Sequence, residues 1–277
     1  RVLFRSYRGV ANSTNRFARL DPLLGILDTN LSPVGANGFD STVRAIVPTA
    51  DAVYVGGDFT AYRGASNSTL RVAKLTLAGA LSGSFNVAGQ GFDARVNALA
   101  ISGTSLYAGG EFTTFRGASA RRLAKLDQTS GALDATFSPP AGNGFDAPVL
   151  ALATSDTALY AGGDFTSYTR GAVSTLGRVA KLDVTTGALD AAFTSGAGFD
   201  GRVSALALYG AGLFAGGDFT SYCGAANAAS EPPNGSSTRT RHHHFIVIVA
   251  RYAPVRSRSS AADEPGHRSR SEERRVG

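Results

Sequence analysis

The residues of this chain that could do chemistry are carboxylates that recur within a repeated phrase. An acid follows a pair of glycines at four positions: Asp58, Glu111, Asp164 and Asp218. Carboxylate oxygens at a strand end could bind calcium or a carbohydrate. The alternative is a structural role, in which each acid accepts backbone N–H bonds or pairs with a nearby lysine (Lys74, Lys125 or Lys181). We favour the structural role, because every copy carries the acid and a functional site normally breaks the symmetry of a repeat.

Other groups that could bind a metal or catalyse a reaction give weaker signals. Asp127 and Asp134 flank a Ser-Gly turn, but the alternating oxygen ligands of an EF-hand loop are missing and a hairpin turn explains the spacing. Residues 242–244 are three consecutive histidines, which is only compositional evidence for a metal site. All four histidines and the one cysteine lie after residue 222. We therefore predict no catalytic residue, no metal and no cofactor.

The charge of the chain is concentrated at its C-terminal end. The formal net charge is +6, but residues 221–277 hold nine of the 27 Lys and Arg and five of the 21 Asp and Glu, which leaves about +2 for the rest. A nearly balanced body gives no electrostatic reason to expect nucleic acid as a partner. No apolar run reaches the roughly 18 residues of a membrane span, so we expect no membrane insertion.

The elements that must position the carboxylates are repeated. The second glycines of the pairs are Gly57, Gly110, Gly163 and Gly217, spaced by 53, 53 and 54 residues. Each copy offers four short segments with strand character, bounded by turn residues. In the second copy they are residues 96–100, 106–112, 122–126 and 133–137. Four strands in about 53 residues match one propeller blade.

The sequence thus predicts an all-β fold, a β-propeller fragment built from four-stranded antiparallel blades with a 53-residue period. The phenylalanine of a recurring Gly-Phe-Asp is expected to plug neighbouring blades: Phe39, Phe92, Phe145 and Phe199. Three complete blades are flanked by a leading half with the third and fourth strands and a trailing half with the first and second. The halves could meet and close a four-bladed ring, but we favour a fragment of a longer array.

We expect three regions along the chain. Residues 7–222 form the repeats. Residues 1–6 are interpreted as a non-native, adaptor-like end, because the repeat pattern is cut in mid-unit before Tyr7. Residues 223–277 are interpreted as a disordered, out-of-frame or artefactual tail, because the expected Arg-Val-Ala-Lys-Leu-Asp never follows Tyr222 and the composition changes abruptly.

The phrases at residues 159–168, 178–183 and 187–193 resemble the delta-60 repeat family of bacterial β-propeller-like proteins. The resemblance covers about residues 7–222. It rests on Gly-Gly-Asp-Phe-Thr, Ala-Lys-Leu-Asp and Gly-Ala-Leu-Asp-x-x-Phe, which recur together in this order. Thr76 and Ser82 depart from the acids of that pattern. The resemblance implies an extracellular or cell-envelope protein of bacteria with further domains in its full-length chain, and it implies no catalytic residues.

One face of the predicted blades favours binding. The loop after the second strand and the loop into the next blade are both long and should emerge on the same side. They carry aromatic and arginine residues, a composition typical of contact hot spots: Tyr62, Arg63, Phe115, Arg116, Tyr168, Arg170, Arg95 and Arg202. The alternative is that these aromatic side chains pack against their own blade.

These observations lead to three functional hypotheses. The first is a non-enzymatic scaffold that binds a glycan or a protein through its long-loop face. The second is a hydrolase or lyase with carboxylates on that face, since fold alone does not determine function. The third is a structural spacer. A pair of carboxylates about 5 to 10 Å apart would favour the enzyme.

Overall fold

The computed structural model describes residues 6–7, 10–11, 16–28, 38–66, 68–137, 143–193, 198–210, 212–223, 225–226 and 245–246. Within these residues the regular elements are all β-strands joined by turns, and no helix is present. The same residues contain no helix of the length and apolarity that a membrane span requires. The predicted all-β class is confirmed for this part of the chain.

The strands are numbered in chain order. They are β1 (Ser6–Tyr7), β2 (Val10–Ala11), β3 (Val43–Pro48), β4 (Ala52–Gly57), β5 (Val72–Thr76), β6 (Val96–Ser102), β7 (Ser105–Gly110), β8 (Thr114–Phe115), β9 (Ala118–Ser119), β10 (Leu123–Asp127), β11 (Gly144–Phe145), β12 (Val149–Thr154), β13 (Ala158–Gly163), β14 (Ser167–Arg170), β15 (Ala172–Thr175), β16 (Val179–Asp183), β17 (Val203–Tyr209), β18 (Gly212–Gly217), β19 (Ser221–Tyr222), β20 (Ala225–Ala226) and β21 (Phe245–Ile246).

Three units each fold into an antiparallel, three-stranded sheet. The first unit (residues 39–85) contains β3-β4-β5, the second (residues 92–137) β6-β7-β10, and the third (residues 145–193) β12-β13-β16. The strand that ends in the glycine pair is always the middle one. In the second unit a tight turn at Gly103 joins the outer strand to the middle one, and Gly103 has a φ of 55° that glycine adopts at no steric cost.

The fourth predicted strand of each unit is a single bridged residue. Leu133 pairs with Leu126, and Leu81 and Leu189 form the equivalent bridges in the other units. The chain then turns away, because Asp134 accepts the N–H groups of Thr136 and Phe137 through its side chain. Because this turn begins at Asp134, directly after Leu133, no extended backbone is left for further strand pairing.

The middle strands are buried on both faces. All six residues of β4 and of β13 are buried. Alternate residues of a strand point to opposite sides. Tyr54 accordingly packs with the second unit, while Val53 and Val55 pack with Phe17 of the leading half-unit (residues 16–28).

The hydrophobic core lies between consecutive units and not inside one of them. One cluster combines Tyr54 and Phe85 of the first unit with Phe92 and Phe112 of the second. The next joins Tyr107 of the second unit to the third unit, and the same holds at the other junctions. Each described Gly-Phe-Asp phenylalanine belongs to one of these clusters, which confirms that they fill the space between units.

Among the described residues, no strand pairing joins the incomplete unit at one end of the repeats to the one at the other end. The trailing half-unit (residues 199–222) contains β17 and β18, and the free edge of β18 pairs with β21, with Ala215 opposite Ile246 and Gly216 opposite Phe245. Ring closure would place residues 16–20 at this edge. Apart from residues 223, 225–226 and 245–246, the predicted tail lies outside the described residues, as do residues 1–5 and all four histidines.

Candidate functional site

The two long loops of each unit are tied together by an aspartate and a threonine 20 residues apart. In the second unit, Asp93 Oδ2 accepts the Thr113 hydroxyl at 2.6 Å, and Asp93 Oδ1 accepts the backbone N–H groups of Thr113 and Thr114 at 2.9 and 3.0 Å. The equivalent pairs are Asp40 with Thr60, Asp146 with Thr166, and Asp200 with Thr220. The entry loop (the Gly-Phe-Asp segment) and the tip loop (after the middle strand) therefore meet on one side, which we call the loop face.

These aspartates are held in the ionised form. Burial alone would raise the pKa of Asp93, but the hydrogen bonds from Thr113 and Thr114 outweigh it and lower the pKa below its ordinary value. Asp40 and Asp146 show the same balance of causes. A carboxylate that is held as a hydrogen-bond acceptor cannot serve as a proton donor near neutral pH.

The aromatic residues predicted to contact a partner are buried. Tyr62, Phe115 and Tyr168 are 3%, 1% and 4% exposed. Phe115 lies with its ring centroid 4.6 Å from that of Phe92. The hydroxyl groups of Tyr62 and Tyr168 donate to backbone carbonyls within their own units, each at 2.9 Å. These values favour the alternative in which the rings pack against their own blade.

Two of the arginines that follow these aromatic residues, Arg116 and Arg170, link adjacent units. Arg116 lies with its Cζ 4.9 Å from the Phe115 ring centroid, and its Nη2 donates to the carbonyl of Phe85 in the preceding unit at 2.6 Å. Arg170 likewise donates to the carbonyl of Phe137 at 3.1 Å. Arg63 lies 5.2 Å from the Tyr62 ring. All three arginines are half-buried.

Arg95 and Arg202 are the predicted site residues with the greatest access to solvent. Their side chains are 44% and 50% exposed. Arg95 Nε lies 3.3 Å from Glu111 Oε2 and 3.7 Å from Asp58 Oδ1, so it joins acids of two units. Arg202 Nε donates to Asp164 Oδ1 of the preceding unit at 2.8 Å. Of the eight predicted residues, these two present charge to solvent at unit junctions.

A β-bulge places the acids beside these arginines. The register of the outer strand slips at its start in every unit, between Val96 and Ala98 in the second. The extra residue bends the strand, and the Glu111 N–H then donates to the Arg95 carbonyl at 3.0 Å. In the first unit the extra residue is Arg44, whose guanidinium donates to both oxygens of Asp58 at 2.8 and 2.9 Å.

Three of the acids after the glycine pairs, Asp58, Glu111 and Asp164, thus form ion pairs with arginines. Lys125 and Lys181 form their ion pairs with Asp134 and Asp190, at 3.0 and 2.8 Å. The hydrogen bond from Arg44, the largest cause, lowers the pKa of Asp58. Asp58 thus has Arg44 as its ion-pair partner, where the sequence analysis named Lys74 as a candidate.

Ion pairs on the loop face join Arg44, Asp58, Arg95 and Glu111 into one group, which we call the junction cluster. It contains two cations and two anions, so it offers donors and acceptors without net charge. The oxygens of Asp58 and Glu111 that contact Arg95 lie within about 7 Å of each other, because each is within 3.7 Å of Nε. Among the described residues no three His, Cys, Asp or Glu side chains are grouped closely enough to hold a metal ion.

Sequence reasoning missed the aspartate and threonine pairs. The signal was available, because the aspartate of each Gly-Phe-Asp precedes the threonine of Gly-Gly-Asp/Glu-Phe-Thr by 20 residues in all four copies. It also missed a row of arginines with positive φ at the start of the third segment, of which Arg122 has a φ of 64°. Arg122 Nη1 donates to the carbonyl of Phe145 in the next entry loop at 2.8 Å.

Small antiparallel sheets whose described core residues lie between consecutive units define an all-β repeat protein. Residues 105–137 match the family described as "Domain of unknown function (DUF5122) beta-propeller". No curated protein matches the chain. Among solved structures it is similar to the computationally designed Ika4 protein, at 17% identity and a TM-score of 0.41, over 65% of this chain and 87% of that one. The computationally designed Ika8 protein is also similar, at 17% identity and a TM-score of 0.41, over 68% of this chain and 48% of that one.

Proposed function

We propose that the chain is a non-enzymatic β-propeller repeat scaffold that binds a glycan or protein partner through its loop face. In this proposal the units are blades with a period of about 53 residues, in the manner of the delta-60 repeats, in an exported or cell-surface protein of bacteria. The observation that carries the proposal is the junction cluster, where Arg95 is half-exposed between Asp58 and Glu111.

The chemistry of the junction cluster suits a neutral polar ligand. Sugar hydroxyls and peptide groups both donate and accept hydrogen bonds, and a site that binds them needs both kinds of partner. Two guanidinium groups and two carboxylates provide these in a charge-balanced set. The aspartate and threonine pairs hold the surrounding loops in place, which reduces the entropy that binding would cost.

The alternative of a hydrolase or lyase draws on the closeness of the Asp58 and Glu111 oxygens. A glycosidase requires one carboxyl with a raised pKa as a proton donor and a second that is ionised. The pKa of Asp58 is lowered by its bond to Arg44. Asp58 could therefore serve only as the ionised member of such a pair and not as its proton donor, and turnover assays on polysaccharides distinguish the enzyme from the scaffold.

The test is a glycan array and a pull-down from a bacterial envelope fraction with the complete chain. We expect specific binding that Arg95→Ala combined with Arg202→Ala weakens about tenfold or more. Arg19→Ala is the matched control, because it removes an arginine that pairs with Asp28 in the leading half-unit and lies outside the junction cluster, and it should bind as the wild type does. No binding would leave the spacer hypothesis, equal binding by all three proteins would show that Arg95 and Arg202 do not carry the binding, and polysaccharide cleavage would support the enzyme.

A further inference from the structure

The tip loop of the third unit forms a longer hairpin than the described tip loops of the other units. β14 and β15 pair at four positions, from Ser167 opposite Thr175 to Arg170 opposite Ala172. β8 with β9, and β19 with β20, pair at two positions each. β14 also pairs with β11, so these strands make a small sheet of their own on the loop face. The third unit therefore breaks the symmetry of the repeat at this point.

The outer edge of β15 is open. The strand order of the small sheet is β11-β14-β15, so among the described strands β15 is bonded to β14 alone. The Leu176 N–H donates to the Thr166 carbonyl at 2.7 Å, and hydrogen-bonded pairs recur at every second residue of an antiparallel ladder. Ser174 therefore turns its backbone groups toward β14, and Val173 and Thr175 turn theirs outward.

This edge is accessible from solvent. Ala172, Val173 and Thr175 are exposed, and Val173 is 70% exposed. In the part of the chain that the structure describes, no loop or turn hydrogen bond uses the outward backbone groups of Val173 and Thr175. Natural proteins commonly protect an exposed edge with proline or lysine, and residues 172–175 contain neither. Two N–H and two C=O groups are thus available to an added strand.

The surroundings of the hairpin are basic. Residues 167–178 contain two arginines and no acid. Arg170, at the closed end of the hairpin, donates to two carbonyls of the second unit, and Arg178 follows the open end. Asp146, in the adjoining entry loop, already accepts one hydroxyl and two backbone N–H groups of its own unit. The local charge therefore favours an acidic partner.

Arg178 lacks a bond that its counterparts make. Arg71 Nη1 and Arg122 Nη1 donate to the carbonyl of the phenylalanine in the next entry loop, at 3.5 and 2.8 Å. Arg178 has the same positive φ, 62°, but within the described residues its guanidinium does not donate to the corresponding carbonyl of Phe199. Its donors are therefore available to a carboxylate of a partner.

We propose that β15 binds an acidic, extended peptide segment of a protein partner, which adds as a fourth strand to the β11-β14-β15 sheet. An extended backbone supplies the alternating donors and acceptors that the open edge requires. Val173 and Thr175 lie on one face of β15, where alternate side chains of the added strand pack. A carboxylate at Arg178 sets the register. The inference goes beyond the proposed function, because it adds a second binding element to the loop face and does not depend on the junction cluster.

Selection of short random peptides, displayed on phage, against the complete chain supplies the probe. We expect the enriched peptides to carry Asp or Glu beside β-branched residues, and their binding to weaken as the salt concentration rises. Enriched peptides without acidic residues would overturn the proposal. A library that gives no binder would do the same.

Backbone methylation of a selected peptide separates strand addition from attraction by charge alone. An added strand directs every second N–H to β15. N-methylation at one set of alternate residues should therefore weaken binding about tenfold or more, and N-methylation at the other set should have a much smaller effect. Titration calorimetry with the wild-type chain measures both. Equal effects of the two sets would contradict strand addition.

A proline in β15 tests the edge from the side of the protein. Val173→Pro removes an outward N–H, and proline is tolerated at such an edge position. Val173→Thr keeps the N–H and a β-branched side chain, so it is the matched control. We expect Val173→Pro to weaken peptide binding about tenfold or more and Val173→Thr to bind as the wild type does. Urea unfolding checks that both variants remain folded, and full binding by Val173→Pro would overturn the proposal.

Two further measurements locate the peptide. Hydrogen exchange at residues 172–176 of the wild type should slow when the peptide binds, and unchanged exchange would count against the edge of β15. Arg95→Ala combined with Arg202→Ala should leave peptide binding unchanged. If that double variant loses the peptide and Val173→Pro keeps it, the peptide binds at the junction cluster and strand addition is wrong. Glycan binding without peptide binding would leave the proposed function in place and remove this inference.

Discussion

Gly109 and Val149 face each other across the junction between the second and third units, so closely that a Cβ on Gly109 would lie 2.5 Å from Val149 Cγ1. Gly56 meets Val96 and Gly162 meets Val203 in the same way, at 2.7 and 2.6 Å. The first glycine of each pair therefore sets the distance between sheets. The second glycine is needed within its own sheet, because a Cβ on Gly110 would lie 2.2 Å from the carbonyl oxygen of Arg95 in the same unit.

The two glycines of one pair are expected to respond differently to the same substitution. Gly109→Ala should destabilise the fold by about 1 to 3 kcal/mol through overpacking, and Val149→Ala in the same chain should recover part of this loss because it removes the atoms that clash. Gly110→Ala should cost at least as much and should not be rescued by Val149→Ala, since its obstacle is backbone. Urea unfolding of the single and double variants measures the coupling; equal rescue of both would contradict the assignment.

Removing one aspartate of the loop face should loosen both loops of its unit. Asp93→Ala deletes the acceptor of three hydrogen bonds, from the Thr113 hydroxyl and two backbone N–H groups. We expect a loss of about 1 to 3 kcal/mol in the free energy of unfolding and faster hydrogen exchange at residues 111–116. Asp156→Ala, at an exposed turn, is the control and should change stability by less than about 0.5 kcal/mol. Unchanged exchange in Asp93→Ala would argue against the loop connection.

The stability of the fold should decrease in acid. Burial alone would raise the pKa of Asp134, but hydrogen bonds from Thr136 and Lys125 lower it to about 2, against about 3.9 in an unfolded chain. A depressed pKa contributes stability above the unfolded value and loses it as the pH falls through the folded value. The urea midpoint should therefore be steady above about pH 5 and fall between about pH 4 and 2. Asp134→Asn should be less stable at neutral pH and show a shallower fall; parallel profiles would refute this.

The tyrosine that joins the second and third units should contribute to their coupling. Tyr107→Phe removes the hydroxyl that donates to the Val184 carbonyl. It keeps the ring, whose centroid lies 5.5 Å from that of the Phe137 ring. We expect a loss of about 1 kcal/mol. Tyr209→Phe, whose side chain is 82% exposed, makes the same chemical change and should be neutral. A denaturation curve in which both variants match the wild type would show that the hydrogen bond adds nothing to the junction.

Much of the fold follows from local patterns in the repeats. The period of the glycine pairs and the short apolar segments predicted an all-β repeat protein, and the middle strands occur where Val53, Leu106 and Leu159 lead into the glycines. The fourth strand was predicted from Leu-x-x-x-Phe spacing and is a single bridge. Asp134 closes a turn immediately after Leu133, and this side-chain bond is not visible in a hydrophobic pattern.

The predicted partner-binding residues fall into a buried group and a solvent-exposed group, and the sequence pattern did not separate the two. Aromatic and arginine residues on long loops suggested a contact surface, yet Tyr62 and Phe115 are buried while Arg95 and Arg202 reach solvent. Composition alone does not tell which residues of the tip loop point to solvent, because this depends on which of them contact the entry loop. The Gly-Phe-Asp phenylalanines pack against these rings in a tilted arrangement, which keeps the rings inside the protein.

What the sequence determined by itself was the identity of the repeating unit, since backbone turns at glycine and alternation along strands are local properties. Tertiary structure decided how the units are joined: which acid pairs with Arg95, how Asp93 reaches Thr113, and why Gly109 must lack a side chain. These contacts join residues of different loops, strands or units, and their free energy exists only when the chain brings the two partners together.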